Sequence, residues 1–313
     1  MKTTRPEPDA EAPKTLNVFL TKTGLIVILV IFILQLSVCS QQNGHDDMPD
    51  VLKIGVLPDQ DTNTLKKRYS PLFKYISSKI GVPYEFIIAE NYKDLLLQFE
   101  EKHIDIAYFG GFTFLRANNN YHAIPLVMRD IDVHFTSYFI AKNHLAPKKI
   151  LDFKGKSLSF GSKLSTSGHL MPRYFLNQKN IDADTFFSKV EYSGSHDRTA
   201  YNVRDGIVDI GVANSKIIDE MFVDKRLDAS EITIVWETPP YPDYVWAIQS
   251  NYSKSVRATI RDAFLSLSIT NSEHAKILST LDAGGFLPAS INDFSKLEKV
   301  TQELGILKKA NEY

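Results

Sequence analysis

The chain is expected to fold as an α/β protein with two lobes and a ligand cleft between them. From residue 51 onward, short apolar runs alternate with longer amphipathic ones, the pattern of strands joined by helices. A basic stretch carrying Pro147 and Gly155 (142–156) splits that alternation into two sets, and one more strand-like run returns late in the chain. A length of 313 residues favours roughly two domains.

In the first set, 52–57 (LKIGVL) is a strand and 69–80 a helix with apolar residues at helical spacing. Residues 84–88 form a second strand, 92–102 a helix, 104–109 a third strand and 112–118 a short helix. Segments 124–128 and 135–141 complete the group. The alternation implies a largely parallel sheet. The second set holds strands at 157–160, 189–192, 210–212 and 232–237, with helices at 169–178 and 198–206. The run TPPYPD (238–243) interrupts the pattern, 244–248 (YVWAI) is a strand again, and two or three helices close the chain. No repeat of fixed period is present. The cleft between two such lobes is the default ligand site.

Composition narrows the class. With 43% hydrophobic and 23% charged residues the chain is globular rather than disordered. Its 36 Lys and Arg against 37 Asp and Glu leave no basic excess for gripping nucleic acid. One cysteine excludes an internal disulfide and a thiolate zinc cluster. Its position is informative: Cys39 ends the apolar run 24–38, which is shorter than the roughly 20 residues of a spanning helix and suits a secretory signal. Leu36-Ser37-Val38-Cys39 resembles the lipobox of bacterial lipoproteins, in which the cysteine is acylated and begins the mature chain. An uncleaved anchor and a plain cleaved signal are the other readings, and all three place the rest outside the cytoplasm. Residues 40–50 are polar and aperiodic, a flexible tether, so the fold begins near Val51.

Ligands of open α/β sheets bind beyond the carboxyl ends of strands, where helix N-termini point. Gly161-Ser162-Lys163-Leu164-Ser165-Thr166-Ser167-Gly168 lies at such a junction. Its hydroxyls and free N–H groups make either an anion cradle that needs no arginine or an ordinary N-cap. His196, in YSGSHD, is either an oxyanion donor or a polar loop residue. Tyr92 and the run Tyr108-Phe109-Gly110-Gly111 either wall a ligand or pack helix on sheet. Catalytic readings have less support. Ser165, His196 and Asp243 can be grouped as a triad, yet no G-x-S-x-G elbow is present. The glycine-rich turn lacks the Gly-Lys-Ser/Thr ending of a nucleotide loop, and the eight histidines show no metal-ligand spacing. No catalytic residue, metal or cofactor is expected.

Taken together, FGSKLSTSGHLMPRYFL (160–176), EYSGSHDRTAYNVRDGIVDIGVAN (191–214) and DFKGKSLSFG (152–161) resemble the phosphate/phosphite/phosphonate-binding proteins of bacterial ABC transporters. The likeness runs from LKIGVLPD at Leu52 to about Pro288. It implies a two-lobed periplasmic-binding-protein fold of type II, with lobe one at 51–137 plus 245–313 and lobe two at 138–244. By position it puts oxyanion contacts on Ser165, Thr166, Ser167 and Gly168, a ligand histidine at His196, and a lobe-one aromatic at Tyr92. Phe109 stands where aminophosphonate binders carry a tyrosine, with Tyr108 beside it. Asp243 matches an acid that pairs with the ligand amine in those binders, whereas the second acid, expected just after Asn214, is replaced by Ser215-Lys216. With one carboxylate instead of two, phosphite, phosphate or methylphosphonate fits at least as well as 2-aminoethylphosphonate. The resemblance implies a monomeric receptor in the periplasm or at the cell surface, held to the membrane through Cys39 and handing its ligand to a permease. Presentation to a membrane sensor, or binding of another oxyanion such as a sulfonate, is the alternative.

Overall fold

The computed structural model describes residues 48–145 and 149–306. Cys39, the apolar run before it and most of the expected tether lie outside the described residues. Among those described, no helix is long and apolar enough to cross a membrane.

Two mixed sheets, each flanked by helices, build the fold. The first has six strands in the order β11-β4-β10-β3-β1-β2. They are β1 (Leu52–Val56), β2 (Tyr84–Ile88), β3 (Ile106–Phe109), β4 (Ile124–Arg129), β10 (Val245–Ile248) and β11 (Phe286–Pro288). The second sheet has five, in the order β7-β6-β8-β5-β9: β5 (Ser137–Lys142), β6 (Ser157–Phe160), β7 (Lys189–Tyr192), β8 (Ile210–Asn214) and β9 (Ile232–Glu237). The expected late return strand is β10.

The expectation of largely parallel sheets needs correction. In the first sheet β1 pairs in parallel with β2 and β3, but β10 runs antiparallel between β3 and β4, and β11 antiparallel to β4. In the second, β6 is parallel to β7 and β8, while β5 is antiparallel to β8 and β9. The chain enters the second sheet through β5 and returns through β10, so each sheet receives one reversed strand at its crossing. The crossing segments are paired: Phe135 N donates to Tyr241 O at 2.8 Å, Tyr241 N to Phe135 O at 3.0 Å, and Asp243 N to Asp132 O at 3.0 Å.

Helix boundaries shift where capping outweighs periodicity. The first helix, α1 (Thr62–Ile80), starts seven residues earlier than its apolar spacing implies, because Asp61 accepts from Asn63 N and Thr64 N. It continues through Pro71. Next come α2 (Tyr92–Glu100) and α3 (Gly111–Tyr121). Beyond β6, a π-helical turn (Thr166–Leu170) leads into α4 (Met171–Gln178). A single turn, α5 (Ala183–Phe186), precedes β7, and α6 (His196–Arg204) begins at the histidine itself. The unexpected helix is α7 (Ser215–Val223), where Asn214 Oδ1 accepts from Ile217 N and Ile217, Ile218 and Met221 face the core. Helices α8 (Lys254–Leu265), α9 (Ser272–Thr280) and α10 (Ser295–Glu303) close the chain.

The core of the first lobe centres on Trp246, which stacks on Tyr108 at 4.5 Å and meets Tyr69 and Phe73 edge-on. Beside it lies a buried ion pair: Arg129 Nε donates to Asp132 Oδ2 at 2.9 Å and Nη2 to Oδ1 at 2.7 Å. Arg129 Nη1 also donates to Leu281 O at 2.8 Å, tying the start of the first crossing to the α9 end. Removing one partner of such a pair strands a buried charge. Arg129→Leu is therefore expected to lower the unfolding free energy by about 3–5 kcal/mol, seen as a lower urea midpoint.

Candidate functional site

The carboxyl end of β6 opens into the hydroxyl-rich turn. Gly161 N donates to Gly168 O at 2.8 Å, and Ser165 Oγ caps the turn by accepting from Gly168 N at 2.9 Å. Leu170 N reaches Ser165 O at 3.0 Å, the wide spacing of a π turn. Glycine is required at 168, because a Cβ there would lie 2.9 Å from Ser165 Oγ and 3.0 Å from His196 Cε1. The turn thus packs directly on the imidazole. Ser165, Thr166, Ser167 and Gly168 are all buried.

Across the seam the first lobe presents a second helix start. Gly111 N, in the first turn of α3, donates to Asp243 Oδ1 at 3.0 Å, and Phe112 N donates to Thr166 Oγ1 at 2.9 Å. First-turn N–H groups have no partner within their own helix, so α3 is satisfied by one residue of the return crossing and one of the opposite lobe. Gly110 leaves room for this: a Cβ would sit 3.2 Å from Thr166 Oγ1 and 3.3 Å from Asp243 Oδ1. Tyr92, at the start of α2 behind the Asn91 cap, is buried, and its hydroxyl bonds with the Ser165 side chain.

His196 is fully buried at the head of α6. Its N–H donates to Asp59 O across the seam at 3.0 Å. Nδ1 accepts from Asn214 N at 3.2 Å, so the ring proton of the neutral imidazole is on Nε2, which lies 3.4 Å from Tyr244 Oη. Burial pushes the His196 pKa down to about 3, keeping it neutral at physiological pH. The Tyr244 hydroxyl donates to Asp59 Oδ2 at 3.0 Å and accepts from Asn214 Nδ2 at 3.2 Å. Behind the turn, Ser137 Oγ donates to Ser167 O at 2.7 Å and also meets the Tyr241 hydroxyl.

Two polar atoms stand out. Ser167 Oγ and Asp243 Oδ2 are buried without a well-directed hydrogen-bond partner. Burial raises the Asp243 pKa to about 7, against the opposing pull of Gly111 N–H and the nearby Thr166 and Ser167 hydroxyls. Asp59 is raised to about 6, again by burial first, with the Arg68 charge and the Tyr244 hydrogen bond acting the other way. Beyond Asp59 and His196 the seam opens into a groove of about 810 Å³, lined from both lobes by residues including Gln60, Asn91 and Arg198.

The structure gathers Tyr92, Ser165, Thr166, Ser167, Gly168, His196 and Asp243 into one buried layer. Tyr108 and Phe109 point to opposite faces of β3. Tyr108 stacks on Tyr244 at 5.1 Å, with its hydroxyl 3.4 Å from Asp132 Oδ2. For Phe109 the packing alternative describes the geometry: its ring meets Phe99 of α2 edge-on at 5.3 Å, because neighbouring residues of a strand alternate faces. Sequence reasoning missed Asp59, Asn214, Tyr241 and Tyr244. Asp59 and Asn214 lie just beyond or at the carboxyl ends of β1 and β8, a position that does mark ligand sites. Nothing local marked the two tyrosines. Among the described residues, no group of three His, Cys, Asp or Glu is placed to hold a metal ion.

Two α/β lobes closing over facing helix starts, with hydroxyls and neutral donors in place of fixed cations, define a solute-binding receptor. Comparison with known proteins gives the family. Residues 54–294 match the family described as ABC transporter, phosphonate, periplasmic substrate-binding protein, and the chain belongs to it. It is 32% identical over 268 residues to the probable ABC transporter phosphite binding protein PhnD1 of Prochlorococcus marinus, covering 82% of this chain and 90% of that one. The structure of PhnD1 from that organism in complex with methylphosphonate superposes with a TM-score of 0.77 and 31% identity, over 83% of this chain and 100% of that one. The phosphate-import protein PhnD of Mycolicibacterium smegmatis is 26% identical over 238 residues, 72% of this chain and 74% of that one. Membership places the folded part of the chain outside the cytoplasm, in the service of an ABC transporter.

The buried acid gives a pH test. The folded chain holds the Asp243 proton up to about pH 7, whereas an unfolded carboxyl releases it near 3.8. This contribution to stability is therefore full below about pH 4 and is lost as pH rises through about 7. His196 acts oppositely, its contribution being lost as pH falls from 6.5 toward about 3. Asp243→Asn removes only the first effect. Its stability relative to the parent chain should rise between about pH 5 and about pH 8 in paired denaturant titrations; a constant difference would contradict the burial argument.

Proposed function

We propose that this chain is a lipid-anchored receptor that binds a small phosphorus oxyanion in the seam and delivers it to a membrane permease. The observation that carries this reading is the neighbouring pair Ser167 Oγ of the hydroxyl turn and Asp243 Oδ2 of the return crossing, both buried and lacking a well-directed partner. A tetrahedral oxyanion beside them supplies what each lacks. Its oxygens accept from Ser167, from the Thr166 and Ser167 N–H groups and from Tyr92, while the helix dipole at the turn offsets the charge. His196 Nε2–H, 3.4 Å from Tyr244, is loosely engaged and has a proton to offer a closer acceptor.

Asp243 favours phosphorus over sulfur. With a pKa near 7 it shares one proton with the ligand, accepting from a P–OH or donating to a fully ionised oxygen. A sulfonate brings no proton and is held only by the protonated acid. Phosphite, methylphosphonate and phosphate all fit this description. The position after Asn214 supplies no carboxylate for an amine, since Ser215 and Lys216 follow it. The PhnD1 names, phosphite binding for the protein and methylphosphonate for its complex, support the same ligand class.

Sheet membership supports the division into lobe one (51–137 plus 245–313) and lobe two (138–244), with the crossing residues at the two boundaries packing against both lobes. Attachment through Cys39 and action as a monomer complete the proposal. Catalysis is not part of it: His196 Nδ1 accepts a backbone N–H, so it cannot also donate to a carboxylate as a Ser-His-Asp triad requires.

Ser167→Ala and His196→Ala are each expected to weaken phosphite or methylphosphonate binding about tenfold or more by calorimetry; unchanged dissociation constants would remove the site assignment. In a thermal-shift panel of phosphite, methylphosphonate, phosphate, 2-aminoethylphosphonate, sulfate and a sulfonate, ligand at 100 times its dissociation constant stabilises by about 2.7 kcal/mol. The phosphorus oxyanions without an amine should give the largest shifts.

A further inference from the structure

We infer that the Tyr244 hydroxyl is a positioning group that couples lobe closure to the ligand site, with Asn214 as its partner in the opposite lobe; the link to ligand rests on the seam being the binding site. Tyr244 ends the return crossing, and its ring packs against the first lobe. It stacks on Tyr108, meets Phe135 edge-on at 5.6 Å and lies under the Arg129 guanidinium at 5.7 Å. Its hydroxyl serves the second. A phenol oxygen donates once and accepts twice, and here all three places are used: it donates to Asp59 and accepts from Asn214 Nδ2 and His196 Nε2.

Both incoming donors come from the second lobe, and the outgoing proton goes to a first-lobe carboxylate. Donation to Asp59 polarises the phenol and makes it a better acceptor, so the chain of bonds is cooperative. All of its members are buried. Parting the ligand-free lobes breaks both cross-seam bonds at once; when ligand takes the His196 Nε2–H, the Asn214 bond remains as the link, and the bond to Asp59 stays on the first-lobe side. Asn214 fixes both ends of the arrangement. Its N–H holds His196 Nδ1 and so places the imidazole proton on Nε2, and its amide reaches Tyr244 directly. The same histidine packs on Gly168 of the hydroxyl turn. Closure and the orientation of a ligand donor are thus set by one oxygen.

Tyr244→Phe keeps the ring and its stacking and removes only the hydroxyl. Asn214→Ser keeps an N-cap for α7 and removes only the amide donor. The full-length chain in detergent is titrated with phosphite and methylphosphonate by calorimetry, and its radius of gyration is followed by X-ray scattering with and without ligand. Circular dichroism verifies folding. Expected is an affinity loss of about tenfold in Tyr244→Phe, a faster dissociation rate, and a population shifted toward the open form. The double variant should be no weaker than Tyr244→Phe alone, because both changes cut the same link. Unchanged affinity, dissociation and compactness in folded Tyr244→Phe would overturn the inference, as would additive losses in the double variant. If the parent chain binds no oxyanion, the binding reading fails separately, and ligand-free compactness still decides the role of Tyr244.

Discussion

Neither lobe satisfies its own polar groups at the seam. The first-turn N–H of Phe112 finds its acceptor in Thr166 of the other lobe, and His196 N finds Asp59 O. An unpaired buried donor costs about 1–3 kcal/mol, so apposition of the lobes is favoured by bonds that only the closed arrangement completes. Water replaces those partners when the lobes part, which keeps opening accessible. A receptor that must capture and then release needs this near balance. A purely apolar interface would bind the lobes together without regard to ligand.

The same exclusion of water sets the protonation states. One desolvated layer raises Asp243 and Asp59 and lowers His196, in each case toward the neutral form. Fixed cations stay at the margin. Arg129 is consumed by Asp132, and Arg68 is paired with Glu220 of α7. What faces the seam is therefore a set of neutral donors and two acids, Asp243 and Asp59, near their titration points. Such a set suits an anion that must be released as readily as it is caught, because no full countercharge has to be separated from it.

Topology delivers these residues to one place. Because β10 returns antiparallel between β3 and β4, the crossing that precedes it ends beside the start of α3. Asp243 and Tyr244 are the last two residues before that strand. One points to Gly111 N and the other to Asp59 and Asn214, as alternation along an extended chain requires. The superposition with PhnD1 covers all of that chain, so the two proteins share this backbone fold.

Much of this was legible in the residues. The strand–helix alternation and the late return strand are local patterns, and the hydroxyl turn announces itself by composition at a strand end. Ser165, Thr166, Ser167 and His196 became candidates because they stand at helix starts, and the family resemblance singled out ligand contact over simple capping. Asp59, Tyr241 and Tyr244 were not, since a lone acid or tyrosine in a loop has no signature until its neighbours are known. The helix α7 escaped because its cap, Asn214, reads equally as a strand end. Phe109 was left open between a ligand wall and helix-on-sheet packing, and strand alternation sends its ring to Phe99. The sequence by itself determined the elements, the two-lobed class and the anion-favouring turn, all consequences of short-range periodicity and capping. Only the tertiary structure decided the sheet directions and the partners across the seam. Those bonds join residues as far apart as Asp59 and Tyr244, 185 positions along the chain, and nothing in local sequence encodes which distant group will complete a buried polar atom.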